Sequence, residues 1–92
     1  MLGQISATLR AHTEIVRVRV TVHVQPSDNT DKDQAVSDAR AKAVRDWIVG
    51  YGIDPKRVEA RGFGGTKPLV PREQRGSATI NERVELIILE RR

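Results

Sequence analysis

The sequence contains no cysteine, which excludes disulfide bonds and thiol chemistry. No apolar run approaches the roughly 20 residues that a helix needs to cross a bilayer. Residues 1–12 also lack the apolar centre of a signal peptide. We therefore expect no membrane insertion of this segment, and an export signal or anchor would lie on sequence outside it. Aromatic residues are rare as well, with Trp47, Phe63 and Tyr51 the only three.

The length and composition of the chain are those of one small domain. A chain of 92 residues buries roughly 60–65% of its unfolded surface, enough for one core between two layers. Sixteen Lys plus Arg against twelve Asp plus Glu give a net charge of +4. We predict a single domain over residues 1–92.

The clearest element is a strand that begins at Ile15. Its apolar and polar residues alternate: Val16, Val18, Val20, Val22 and Val24 against Arg17, Arg19, Thr21 and His23. A strand covered on both faces would be apolar throughout, so one face packs on helices and the other meets water. This pattern predicts an α+β fold, a two-layer α/β sandwich with helices on one face of the sheet.

The longest element is an amphipathic helix over residues 30–51. Thr30 is predicted to cap it and Gly52 to end it. Its predicted apolar face comprises Val36, Ala39, Ala43, Val44, Trp47, Ile48 and Tyr51. Arg40 falls near the middle of this stripe. In one interpretation the aliphatic part of the Arg40 side chain packs on the core and its guanidinium reaches water. In the other, the guanidinium lies at the edge of the core, where it can bind a carboxylate.

The other elements are shorter. Leu2, Ile5 and Leu9 predict a first helix ending around residue 12, and residues 57–61 predict a short strand. Residues 72–79 are polar and predicted to be a loop. The last strand covers residues 83–89. Because both of its faces become apolar at the end, we place it inside the sheet or against a neighbour that this chain does not supply.

The sequence gives little support for a catalytic, phosphate-binding or metal-binding site. The glycines of RGFGGTKP lack the Lys-Ser/Thr ending of a P-loop and do not fit GxGxxG between a strand and a helix. An EF-hand counted from Asp28 would need Gly and Glu where Asp33 and Ala39 stand. His12 and His23 lack further ligands at metal spacing. No nucleophile motif is present. We predict no metal, no cofactor and no enzymatic activity.

The stretch VSDARAKAVRDWIVGYGIDPKRVEARGFGGTKPLV resembles the centre of the OmpA-like domain, a periplasmic peptidoglycan-binding module also found in Pal lipoproteins and flagellar stator proteins. That family reads LSxxRAxxVxxxL, a Gly-Ile turn, a strand ending in GxGxxxP, and a closing NRRVE. The matching positions here are Val36-Ser37, Arg40-Ala41, Val44, Ile48, Gly52-Ile53, Arg61-Gly62-Phe63-Gly64, Pro68 and Asn81-Glu82-Arg83-Val84-Glu85. The match runs from about residue 2 to residue 89.

The resemblance implies that the domain binds the diaminopimelate of the peptidoglycan stem peptide. The family's arginine, here Arg40, takes the ligand carboxylate, and the aspartate of a GHTD motif takes its amino group. Here that motif reads Val22-His23-Val24-Gln25, so only His23 agrees and Gln25 replaces the aspartate. A lost charge-assisted bond costs about 1–3 kcal/mol, so we expect a weakened or altered site. The predicted site residues are Arg40, Gln25, His23, Asp28, Asp33, Asn81 and Arg83, with Asp28 a substitute for the missing aspartate.

The resemblance also implies a further strand before the first helix, paired with the last strand. Without it residues 84–89 would form an open apolar edge, so we expect a dimer or an exchanged segment to cover them. One alternative is a degenerate OmpA-like domain that acts as an interaction or oligomerisation unit. The other, a nucleic-acid binder suggested by the arginines on strands, is disfavoured because aromatics for base stacking are scarce. The resemblance also implies a location in the periplasm.

Overall fold

The computed structural model describes residues 2–92, and side chains from residue 3 onward. The elements are α1 (Leu2–Ala11), β1 (Ile15–His23), α2 (Thr30–Gly50), a 3-10 turn (Pro55–Arg57), β2 (Val58–Gly62), α3 (Ser77–Asn81) and β3 (Arg83–Arg91). The predicted role of the Leu2 side chain in the first helix lies outside the described residues.

The three strands form one mixed sheet in the order β2-β1-β3. β1 runs parallel to β2, with Val18 opposite Val58, and antiparallel to β3, with Val20 opposite Leu86. This confirms the predicted two-layer α/β fold. β3 is an edge strand of this sheet, so the first of its two predicted placements, inside the sheet, is wrong. The second, against a neighbour that this chain does not supply, stays a prediction.

The core lies between β1, β2 and the helices. It comprises Leu9, Ile15, Val18, Val20, Val22, Ala41, Ile48, Ile53 and Val58. The alternation of β1 therefore predicted Val18, Val20 and Val22 of its buried face correctly. At the start of the strand Ile15 is in the core and Val16 is only half-buried, because the pairing with β3 shifts register there. The opposite face does not meet water along its whole length, because Thr21 and His23 are also buried. The reason is that Phe63 stacks on the His23 ring and covers that end of the sheet.

The buried face of α2 differs from the prediction. Its buried residues are Asp33, Ser37, Ala41 and Ile48, whereas Trp47 and Tyr51 are 58% and 44% exposed. The small side chains allow α2 to approach the end of β2 closely: Asp38 Oδ1 accepts from the Gly62 N–H at 3.0 Å, and Ser37 Oγ accepts from the Gly64 N–H at 2.8 Å. Trp47 and Tyr51 are too bulky for this contact and instead pack on each other, 5.9 Å between ring centroids.

The first turn of α2 is capped by Asn29, and the prediction of Thr30 as the cap is wrong. Asn29 has an extended backbone, and its Oδ1 accepts from the Lys32 N–H at 2.9 Å. Thr30 is already the first helical residue. Its hydroxyl is therefore one position too late to satisfy the free N–H groups of the first turn.

Other elements and boundaries differ as well. β2 begins one residue later than predicted, because residues 55–57 form the 3-10 turn after the Asp54 cap. The segment predicted as a polar loop over residues 72–79 contains the start of α3. Five residues carry too little periodicity to be recognised as a helix. β3 extends two residues beyond the prediction, to Arg91.

Candidate functional site

Arg40 lies beside the buried stripe of α2, next to the fully buried Ala41. Its side chain is exposed and lines an open concavity of about 390 Å³ between α2 and the start of β3. The other lining residues are Val22, His23, Glu82, Arg83 and Val84. Within residues 2–92, no hydrogen bond or ion pair involves the Arg40 guanidinium. Arg40 is therefore not inside the buried stripe as predicted, because the buried residues on either side of it are Ser37 and Ala41.

Arg83, across the same concavity, is held by its own chain. Its Nε donates to Glu85 Oε1 at 2.8 Å, its Nη1 to the carbonyl of Asn81 at 3.0 Å, and its Nη2 to the carbonyl of Lys67 at 3.1 Å. These bonds satisfy most of its donors. Of the two arginines that line the concavity, Arg40 is the one whose guanidinium has all of its N–H donors free for a ligand among the described residues.

Gln25 belongs to an internal hydrogen-bond network centred on Asn81. The Asn81 Nδ2 donates to Gln25 Oε1 at 2.8 Å, and Gln25 Nε2 donates to Ser77 Oγ at 2.8 Å. An aspartate could accept from Asn81 but could not donate to Ser77. Gln25 does not line the Arg40 concavity. The Gln25 amide therefore connects the segment that follows β1 to α3 through hydrogen bonds.

Asp28 and Asp33 lie apart from Arg40 and have partners of their own. Asp28 Oδ1 is 2.8 Å from Arg72 Nη2, at the surface. Asp33 accepts from the hydroxyl of Ser27 at 2.7 Å and from its backbone N–H at 2.9 Å. These two bonds lower the pKa of the Asp33 carboxyl. Of the predicted site residues, the structure brings Arg40, His23 and Arg83 to one concavity.

Glu82, which the sequence did not single out, also lines this concavity. It is exposed and is the one carboxylate among the lining residues. Its position in the closing motif next to Asn81 was the only available signal. The concavity therefore offers an unpaired guanidinium and a carboxylate that do not form an ion pair with each other.

The sequence matches the OmpA family over residues 1–82. The chain belongs to the OmpA family. This confirms the resemblance drawn from the RA pair, the glycine motif and the closing NERVE motif.

Among relatives of this OmpA-family domain, outer membrane porin F of Pseudomonas aeruginosa is 35% identical over 82 residues, which are 87% of this chain and 20% of the porin. The peptidoglycan-associated lipoprotein of the same organism is 30% identical over 70 residues, 76% of this chain and 42% of the lipoprotein. The structure of the cell wall anchor of the T6SS from Pseudomonas aeruginosa has a TM-score of 0.78 at 27% identity, over 97% of this chain and 64% of that one. The chain spans less than half of the first two proteins.

No helix within residues 2–92 of the domain has the length and apolarity needed to cross a membrane.

His23 of this OmpA-family domain links the Arg40 concavity to the opposite face of the sheet. Its Nε2 lies 3.1 Å from Glu85 Oε1, and its ring lies 5.4 Å from that of Phe63, nearly parallel at 8°. The Nδ1 atom is buried with no hydrogen-bond partner among the described residues. Burial, followed by the charge of Arg83, lowers the pKa of His23, while Glu85 opposes this and Lys67 adds to it.

This lowered pKa predicts a loss of stability on mild acidification. The unfolded chain takes up a proton at the ordinary His pKa of 6.5, whereas the folded domain resists it. The His23 contribution is therefore complete above that value and is lost as the pH falls below it. We expect the free energy of unfolding, measured with urea, to fall between about pH 7 and pH 5. A His23→Gln variant should show a flatter dependence than the wild type. Equal slopes for the two proteins would contradict this assignment.

Proposed function

We propose that this domain is a non-catalytic peptidoglycan-binding module whose Arg40 guanidinium binds a stem-peptide carboxylate. The observation that carries the proposal is an exposed guanidinium at the rim of a concavity, with no partner among the described residues. Two relatives support the proposal: one is a peptidoglycan-associated lipoprotein and the other is a cell wall anchor. The same relatives support a location in the periplasm.

The chemistry of the concavity suits a zwitterionic ligand end. A guanidinium gives a carboxylate two parallel hydrogen bonds, which a lysine ammonium cannot. The free amino group of diaminopimelate needs an acceptor, preferably a charged one. Glu82 is the carboxylate on the rim, whereas Asp28 is engaged by Arg72. We therefore assign the ammonium to Glu82 and withdraw Asp28 as the substitute for the missing aspartate.

The site is weaker than one with a buried aspartate beside the arginine. Gln25 is neutral and both ends of its amide are occupied by Asn81 and Ser77. Glu82 is exposed, so its attraction for an ammonium is screened by water and salt. We expect binding of isolated muropeptides about tenfold to a hundredfold weaker than with a buried carboxylate. The lining residues include no Ser, Thr or Cys, so the proposal assigns no covalent step.

Co-sedimentation with purified peptidoglycan sacculi tests this function. Arg40→Ala should reduce the bound fraction to background, equivalent to at least a tenfold loss of affinity. Glu82→Gln should cause a smaller loss, since the amide still accepts a hydrogen bond. Lys42→Ala is the matched control, because Lys42 is an exposed cation on the same helix outside the concavity. Wild-type binding that survives Arg40→Ala would contradict the proposal, and so would a loss of equal size in Lys42→Ala.

A second candidate function is self-association through the free edge of β3. On the helix-side face of this edge strand, Val84, Leu86 and Ile88 are 53%, 39% and 41% exposed. Leu86 and Ile88 line a concavity of about 310 Å³ together with Ile5 and Leu9 of α1. An edge strand with an apolar face can pair with another strand. A second copy of the domain, or a segment exchanged between copies, would cover both the edge and the apolar face.

Sedimentation equilibrium tests this association. We expect a monomer–dimer equilibrium at micromolar to millimolar concentration. Ile88→Glu should shift it to monomer, since a carboxylate would be buried in the interface. Ile80→Glu, which changes an exposed residue of α3 that does not line this concavity, should leave the equilibrium unchanged. A wild-type protein that stays monomeric at millimolar concentration would contradict this second function.

A further inference from the structure

A group of cations surrounds Phe63 on the face of the sheet opposite α2. Phe63 follows β2, and its backbone N–H donates to the Val22 carbonyl, which places its ring next to His23. The Arg61 and Arg19 guanidinium carbons lie 4.6 and 5.7 Å from the centroid of the Phe63 ring, and the Lys67 Nζ atom lies at 4.8 Å. We call Arg19, Arg61, Lys67 and Phe63 the Phe63 cluster. The electron-rich ring attracts each cation and holds the three together.

The positive charges of the Phe63 cluster are not neutralised by the chain. Arg19 donates only to the Thr21 hydroxyl, at 3.3 Å, and within residues 2–92 no hydrogen bond or ion pair involves the Arg61 or Lys67 side-chain nitrogens. Carboxylates on this face are engaged elsewhere: Glu59 lies 3.8 Å from Arg17, and Glu85 binds Arg83 and His23.

Without a bound anion, the mutual repulsion of these three cations destabilises the folded domain. No two charges of the cluster can be more than about 11 Å apart, since all three surround one ring. That is close to the Debye length of about 10 Å at 0.1 M salt, so their repulsion is only partly screened. A ligand with more than one negative charge would relieve it.

A shaped site accompanies the charge. A concavity of about 230 Å³ on this face is lined by Arg19, Thr21, His23, Phe63 and Lys67, and by Arg83, Glu85 and Ile87 of β3. Two of the three cations of the cluster and the Thr21 hydroxyl face it, and its one carboxylate, Glu85, is already bound to Arg83 and His23. The His23 ring forms part of its wall, with its Nε2 held by Glu85. The concavity therefore combines positive charge with the Thr21 hydroxyl and with guanidinium and ammonium N–H groups that the described residues leave largely unused.

We propose that the Phe63 cluster is a binding site for a phosphate dianion, either free or as the phosphate group of a larger molecule. Guanidinium groups bind phosphate through parallel hydrogen bonds, and the Lys67 ammonium adds a point charge. A single carboxylate would leave two of the three charges unneutralised. Base stacking does not explain the cluster, since His23 and the cations occupy the surroundings of the Phe63 ring. The Phe63 cluster lies on the other face of the sheet from Arg40, although its concavity shares His23 and Arg83 with the Arg40 concavity. The proposal does not rest on the wall binding proposed above.

Titration with inorganic phosphate, followed by amide chemical shifts at constant ionic strength, tests the site. We expect saturable shifts confined to residues 19–23, 61–67 and 83–87, with millimolar affinity. The double variant Arg61→Gln/Lys67→Gln should weaken binding at least tenfold, and Phe63→Leu should weaken it less, because the cations remain but are no longer held by the ring. The double variant Lys42→Gln/Lys56→Gln is the control. It removes the same charge at exposed positions outside the cluster and should bind as the wild type does.

A second arm identifies the source of the phosphate. Vesicles of phosphatidylglycerol and of phosphatidylcholine are compared in flotation with the wild type and both double variants. Cluster-dependent binding to phosphatidylglycerol would identify a lipid phosphate, and phosphate shifts without flotation would identify a small phosphate compound. Shifts that do not saturate, that spread over all surface cations, or that persist in Arg61→Gln/Lys67→Gln would overturn the proposal. Tighter binding to single-stranded DNA than to either phosphate probe would overturn it in favour of nucleic acid.

Discussion

Gly62→Ala is expected to destabilise the domain by about 3 kcal/mol, which at this chain length lowers the melting temperature by roughly 12–24 °C. A Cβ at Gly62 would lie 2.3 Å from Ser37 Oγ, 2.4 Å from the Asp38 amide nitrogen and 2.5 Å from the Ser37 carbonyl carbon. Two of these atoms are backbone, so no side-chain rotation can relieve the overlap. α2 would have to move away from β2, which breaks the bonds from the Gly62 and Gly64 N–H groups to Asp38 and Ser37.

Gly50→Ala is the matched control for this variant. Gly50 is in the last turn of α2, and a Cβ there would meet nothing within 4 Å. Alanine is the better helix former, so this variant should be neutral or slightly more stable. Both variants are compared by thermal and urea unfolding. A Gly62→Ala protein within about 1 kcal/mol of the wild type would show that α2 and β2 are less closely packed than we describe.

Asn81→Ala is expected to destabilise the domain by about 3 kcal/mol as well, because one fully buried side chain makes four hydrogen bonds. Its Oδ1 accepts from the Leu69 and Val70 N–H groups at 2.9 and 3.1 Å, and its Nδ2 donates to Gln25 and to the Val70 carbonyl. Alanine would leave these groups without partners and the loop before α3 without its attachment. Hydrogen exchange at the Leu69 and Val70 amides should accelerate more than exchange in β1.

Thr79→Ala serves as the control, since Thr79 is an exposed residue of the same short helix. It should change the free energy of unfolding by less than about 0.5 kcal/mol. If Asn81→Ala were equally mild, or if the exchange of the two loop amides did not change, the network between β1, the loop and α3 would not have the role we give it.

The sequence predicted the elements whose pattern is local. The alternation of β1 identified the buried valines, and the mixed two-layer fold followed. The face of α2 was misjudged, because hydrophobicity favoured Trp47 and Tyr51 whereas close packing on β2 required Ser37 and Ala41. Steric fit between elements outweighs hydrophobicity where two backbones approach closely. α3 was missed because a helix of five residues has no usable period.

The candidate site was accessible from sequence only in part. The RA pair identified Arg40 as a candidate ligand-binding residue. Whether its side chain is buried or exposed, however, depends on how α2 packs on the sheet. Gln25 was interpreted as a lost charge, whereas it donates to Ser77 and accepts from Asn81. These partners lie on α3, far away along the chain, so no local pattern could show them. The same holds for Glu82, which reaches the concavity only because β3 pairs with β1.

The most direct test of the central claim is calorimetric titration with two muropeptides that differ only in whether the diaminopimelate side-chain carboxylate is free or amidated. If Arg40 binds that carboxylate, amidation should weaken binding to the wild type by about tenfold or more, and should have no effect on the weak residual binding to Arg40→Ala. Equal affinity of the wild type for both muropeptides would contradict the account.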